Sequence, residues 1–327
     1  MLRKSLLCAA LLVTGCGDDA TSDEDAFRGG LPSREMVEMR SPSRNDGQGL
    51  TAFYGEGQQA EYYRATVAAA ATVNLGTAGV LNLIEEIVKH VPTSINGDVA
   101  VWGPHTGALD AVTWKLTVTR TGEHSYTWVL EGKGKDEPDT TFVAFLSGAH
   151  TASVNADGER VRGHGSGEFL IDWEKANTLP GVTGDDVGTA EIRYARVAGA
   201  AEASVEADLH QVRDEERPDT RVDAVYRFRQ AVGAGGELDF VIRKDIDTDP
   251  RRAALENLAI KSRWEATGAG RADIKLSGGD LFGEATLSEC WGSDFLSAYF
   301  ILSVNPVLGY GELSACGNFD TAVYSTL

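Results

Sequence analysis

The residues best placed by type and spacing to hold an ion are Asp245, Asp247, Asp249 and Glu256, which match positions 1, 3, 5 and 12 of a calcium loop, where alternate carboxylates turn toward one hard cation. Pro250 stands where such a loop needs glycine, Arg251 and Arg252 place positive charge inside it, and the preceding segment is strand-like. An acidic, solvated hairpin loop is the competing reading. His150 and His164 flank Asp157-Gly158 and would form a metal pair only if they shared a face of the hairpin. Gly163-His164-Gly165-Ser166-Gly167 fails as a nucleophile elbow, because glycine is required two residues before and after the serine and those positions hold His164 and Glu168. No helix follows it to offer an N-terminus to phosphate. Dispersed catalytic carboxylates are the remaining enzymatic option, but among 49 acids some pair always lies at a suggestive distance.

The four cysteines are Cys8, Cys16, Cys290 and Cys316. Basic residues in Met1 to Lys4 precede an apolar run from Leu6 to Val13, too short to span a bilayer and typical of a secretory leader. It ends in Val13-Thr14-Gly15-Cys16. This resembles the lipobox of bacterial lipoproteins, with an aliphatic residue, two small residues and then the cysteine that is lipidated. The resemblance covers residues 1–16 and implies removal of 1–15, diacylglycerol and a further acyl chain such as palmitate on Cys16, and anchoring in the bacterial envelope. Gly17 in place of aspartate after that cysteine implies the outer membrane, an inference that Asp18 and Asp19 weaken. Several acyl chains on one residue anchor stably, each buried methylene adding about 0.8 kcal/mol. With Cys8 removed and Cys16 modified, Cys290 and Cys316 are expected to bridge, adding about 3.5 kcal/mol in the chain-entropy picture.

Thirty basic against 49 acidic side chains give a formal charge of −19, and the chain shows no local basic patch, so nucleic acid is excluded as a partner. Residues 16–57 are polar without a sustained hydrophobic period and read as a flexible acidic tether, reaching on the order of 35 Å. Residues 58–327 show no composition break and are read as one β-rich domain.

That domain opens with a helix over 58–91, uncharged from Thr66 to Ile84, with Leu75, Leu83, Ile84, Ile87 and Val88 expected along one side. Asn74, Asn82, its threonines and Gly76 and Gly79 make it a poor membrane span and a core helix instead. After residue 98 the period becomes two, as in Val112-Thr-Trp114-Lys-Leu116-Thr-Val118, giving about ten to twelve antiparallel strands. Matching apolar faces across each turn pairs Leu116 with Trp128, Ile260 with Leu276, and Leu146 with Phe169 across a two-residue Asp157-Gly158 turn. In that register His150 points inward and His164 outward. Gly163, Gly165 and Gly167 then form an inner stripe without side chains, expected to meet the small face Ala68 to Ala71 of the helix.

The fold expectation is a mainly β chain: a large curved antiparallel meander sheet, half-barrel or barrel, wrapped around one long N-terminal helix. A half-barrel with a helix and a lipid anchor is similar in outline to the lipoprotein-carrier family of the bacterial envelope. No motif of that family matches, and none of its functional residues is carried over. The expected function is non-enzymatic: a membrane-anchored envelope scaffold, or a protein enclosing an apolar ligand, with an envelope protein as the other possible partner. An exported hydrolase using dispersed carboxylates or calcium is the alternative.

Overall fold

The computed structural model describes residues 19–42, 55–182, 184, 186–214, 217–231, 233–246, 252 and 254–327. Its helices are α1 (Asp19–Arg28), α2 (Arg34–Val37), α3 (Glu61–Val88) and the single turn α4 (Trp173–Ala176). The strands begin with β1 (Ser94–Asn96), β2 (Val99–His105), β3 (Val112–Arg120), β4 (Ser125–Gly134), β5 (Val143–Val154), β6 (Arg160–Asp172) and β7 (Thr189–Arg196). They continue with β8 (Glu202–Arg213), β9 (Arg221–Ala231), β10 (Gly236–Lys244), β11 (Glu256–Trp264), β12 (Gly270–Gly278), β13 (Ala285–Trp291) and β14 (Ser297–Leu302). All fourteen, among the described residues, form one antiparallel meander in sequence order, with β1 and β14 as its outer strands and not paired with each other, so the sheet is an open half-barrel and has two strands more than the upper expectation.

Period-two sequence becomes a continuous inner layer. Val118, Trp128, Gly148, Phe169, Ile192 and Ala207 lie opposite one another in successive strands, and the row goes on through Tyr226, Phe240, Ile260 and Ile274. Gly148 is required between the two large rings, since a Cβ there would fall 2.7 Å from both Trp128 and Phe169. One residue over, on the outer face, Glu168, Arg193, Glu206, Arg227, Asp239, Lys261 and Asp273 are likewise opposite one another. Their signs alternate, so every cross-strand neighbour in the row is attractive.

Two expected hairpins keep their three-residue loops but centre them one residue away. Thr121 and Ser125 close the first around Gly122–His124, and Glu265 and Ala269 close the other around 266–268. Leu116 therefore meets Leu130, and Ile260 meets Ile274. A one-residue displacement of a loop moves pairing by two, so every side chain keeps its face, which is why periodicity alone could not detect the error. The Asp157-Gly158 turn differs more. Asn155 and Glu159 close a three-residue loop with Gly158 at φ +81°, and a bulge follows where Gly163 adopts φ +72°.

The helix is shorter than 58–91, and its buried face is Tyr63, Thr66, Ala70, Val73, Thr77, Leu81 and Ile84. Leu75, expected inside, is 75% exposed. The helix leans on the sheet through positions three and four apart from Tyr63 to Ile84, a face that includes polar Thr66, bonded to Ser262 of β11 (Oγ to Oγ, 2.5 Å), and leaves Leu75 off it. Ala60 at the N-terminus provides no cap. Instead Glu289 of β13, buried, accepts the backbone N–H groups of Tyr62 (2.7 Å) and Glu61 (3.3 Å) and the Ser297 hydroxyl (2.7 Å). Burial raises its carboxyl above the usual range against the pull of these donors. Glu289→Ala is expected to cost about 1–3 kcal/mol in urea unfolding, the penalty for orphaning buried donors, with a loss of helical dichroism near the transition. A change within error would show that the helix is held without it.

The tether expectation is corrected over 19–42. Phe27, Leu31, Met36, Val37 and Met39 are buried, and the Asn74 side chain of α3 both accepts the Met39 N–H and donates to the Met39 carbonyl, each at 2.9 Å. Those five apolar residues follow no period because they serve an irregular cover over α3, where shape and not regularity decides burial. Residues 43–54 lie outside the described residues.

Candidate functional site

Between the outward flank of α3 and strands β6 to β8 lies a cavity of about 340 Å³. Thr72, Leu75 and Gly76 of the helix form one wall and Ile171, Ala190 and Leu209 the other. The opening follows from sequence on both sides. The helix offers small residues here, and Gly76 has no atom within 4 Å of where its Cβ would stand. Across the sheet, Ile171, Ala190 and Leu209 lie opposite one another, so the wall alternates large and small. Trp173 closes one end; it begins α4, whose first turn is capped by Asp172 accepting the Lys175 N–H (2.9 Å). Asp186 and Arg213 are the charged residues of the lining. An apolar wall with few polar groups is the usual make-up of a small-ligand site, and this volume is at the lower end of that range.

The residues singled out for chemistry lie elsewhere. Asp245 pairs with Arg217 (3.2 Å), and Glu256, fully buried, accepts the Ile246 N–H (2.9 Å), so that carboxylate closes the base of its own loop. Arg252 pairs with Asp280 on the next connection (2.9 Å). Asp247 and Asp249 lie outside the described residues, as does Cys16. Among the described residues no three His, Cys, Asp or Glu side chains come together as metal ligands. Cys290 and Cys316 are joined, with Cα atoms 5.3 Å apart.

His150 faces inward and is 1% exposed, whereas the His164 ring, outside, hydrogen-bonds the Arg162 carbonyl (3.1 Å). His150 Nδ1 pairs with the Tyr194 hydroxyl at 2.8 Å. Burial and nearby Arg160 hold the imidazole down at about 4, and burial raises the Tyr194 phenol, so both remain neutral at physiological pH. The glycine stripe serves this pair and not the helix. A Cβ on Gly165 would lie 2.3 Å from the His150 ring, and one on Gly167 would lie 2.7 Å from the Tyr194 hydroxyl. Gly163 instead faces Glu35 of α2.

No protein family, characterised protein or solved structure matches the chain. The site therefore stands on its geometry. Sequence reasoning missed the cavity because it placed Leu75 on the apolar side of the helix and gave no turn at Trp173, which begins α4. The one available signal was the mismatch between a large Leu75 and the small residues Thr72, Gly76 and Gly79 around it.

Proposed function

We propose that this protein is a lipid-anchored protein of the bacterial envelope, attached through Cys16, that binds a single-chain apolar ligand between α3 and β6–β8. The observation that carries the reading is the cavity of about 340 Å³, with an apolar wall and Leu75 exposed at the helix flank. An acyl chain would lie against Ile171, Ala190 and Leu209 in place of water, at roughly 25 cal/mol per Å² of apolar surface covered. A polar end group would reside near Asp186 and Arg213. The hydrolase alternative gains no support, since His150 is sealed within the wall and the Asp245 and Glu256 carboxylates serve structural contacts.

Titration with a dansyl fatty acid tests this reading. Binding should be saturable, and Gly76→Phe should weaken it at least about tenfold, or about 1.4 kcal/mol. The new ring enters open space on a helix where glycine is the poorer residue, so stability should hold or rise. Unchanged affinity in the folded variant would refute the site.

A further inference from the structure

The start of the described chain is held at one particular end of the sheet. Arg120, the last residue of β3, donates to Asp23 of α1 (3.2 Å) and lies over the Phe27 ring, which in turn meets Tyr126 at the start of β4. Arg160, the first residue of β6, donates to the Asp25 carbonyl (2.8 Å). In a meander, the end with the β3–β4 turn also bears the β5–β6, β7–β8, β9–β10 and β11–β12 turns. Cys16 is three residues from Asp19, a reach of about 11 Å fully extended.

Both ends are acidic. At the α1 end, the turns at 197–201, Val-Ala-Gly-Ala-Ala, and 232–235, Val-Gly-Ala-Gly, carry no charge, but the other turns there hold Asp98, Glu123, Asp157, Glu159, Glu265 and Asp294 and no Lys or Arg. At the other end, acidic residues outnumber basic ones in each of the six connections between strands, as with Asp136, Glu137 and Asp139 against Lys135. We propose that the end bearing α1 rests on the lipid surface that holds the acyl chains of Cys16, with the other end directed away from it. The inference rests on the lipidation proposed above.

Distance decides this pose. Phe282, Leu109 and Val307 are almost wholly exposed at the opposite end and would offer apolar contacts to a membrane. Reaching it from the α1 end requires crossing the nine residues of β3, about 30 Å, which exceeds the spacer almost threefold.

The test uses the full lipidated chain in vesicles of phosphatidylethanolamine and phosphatidylglycerol containing a headgroup-spin-labelled phospholipid. Bimane is attached at Ala200→Cys in the uncharged β7–β8 turn or at Phe282→Cys at the opposite end, both exposed positions outside the cavity. Strong quenching at 200 and little at 282 is expected, and a long glycine–serine insertion after Gly17 should erase the contrast. Equal quenching, or stronger quenching at 282, in protein whose mass shows the acylated Cys16 would overturn the orientation alone. Protein that carries no lipid, or a Cys16→Ser variant that stays with the vesicles, would overturn the anchor itself.

Discussion

Asp273→Ala is expected to lower the unfolding free energy by about 3–5 kcal/mol, the range for removing one partner of a buried ion pair. Asp273 is fully buried on the outer face of β12, deeper than Lys261 beside it in the charged row. Its carboxylate accepts from Arg271 (2.7 Å), Arg263 (3.0 Å), the Ser288 hydroxyl (2.6 Å) and the Val323 N–H (2.8 Å). Arg271 also reaches the Phe319 and Asp320 carbonyls (2.9 and 3.2 Å), so one carboxylate organises the C-terminal segment over β11–β13. Alanine would leave a buried guanidinium uncompensated and the strap held mainly by the Cys290–Cys316 bond. Urea unfolding should show the loss, with faster proteolysis after Phe319, and Asp273→Asn, which keeps an acceptor, should lose less. A loss below about 1 kcal/mol would refute the clamp, since surface changes are about that small.

Acid should destabilise the fold through His150. Its folded value, about 4, is below the ordinary 6.5, so the unfolded chain takes up a proton in a range where the folded chain refuses one. The contribution is fully present above about 6.5 and is lost as pH falls toward 4, by about 3 kcal/mol at 1.36 kcal/mol for each pH unit. His150→Gln should flatten this segment of the stability profile while retaining a hydrogen-bonding partner for Tyr194. Identical slopes between pH 6.5 and 4 in the two proteins would assign the acid sensitivity to other groups.

The Asp273 clamp and the Glu289 cap illustrate why polar function inside this fold escapes a reading along the chain. Asp273 occupies an outward position of an alternating strand, where an acid is expected in water, and only the returning C-terminus buries it. Glu289 stabilises a helix that begins 228 residues earlier. Helix and turn signals are local, whereas these partners are selected by which strands the sheet brings under the helix end and under the strap.

The sequence by itself determined the mainly β class, the curved meander with one long helix, the inward and outward faces, and the disulfide. These follow from a two-residue period and a residue stretch without breakers, which act over short range, and from the pairing expected of Cys290 and Cys316 once the lipobox reading sets Cys8 and Cys16 aside. The tertiary structure alone decided that the sheet stays open, that residues 19–42 cover α3, and that Leu75 faces outward beside a cavity. Hydrogen bonds to Ser262, Glu289 and the Met39 backbone fix which side of the helix faces the sheet. That facing determines which apolar residues are buried and which line a site, a choice that amphipathic spacing does not encode when a helix is uncharged on nearly every side.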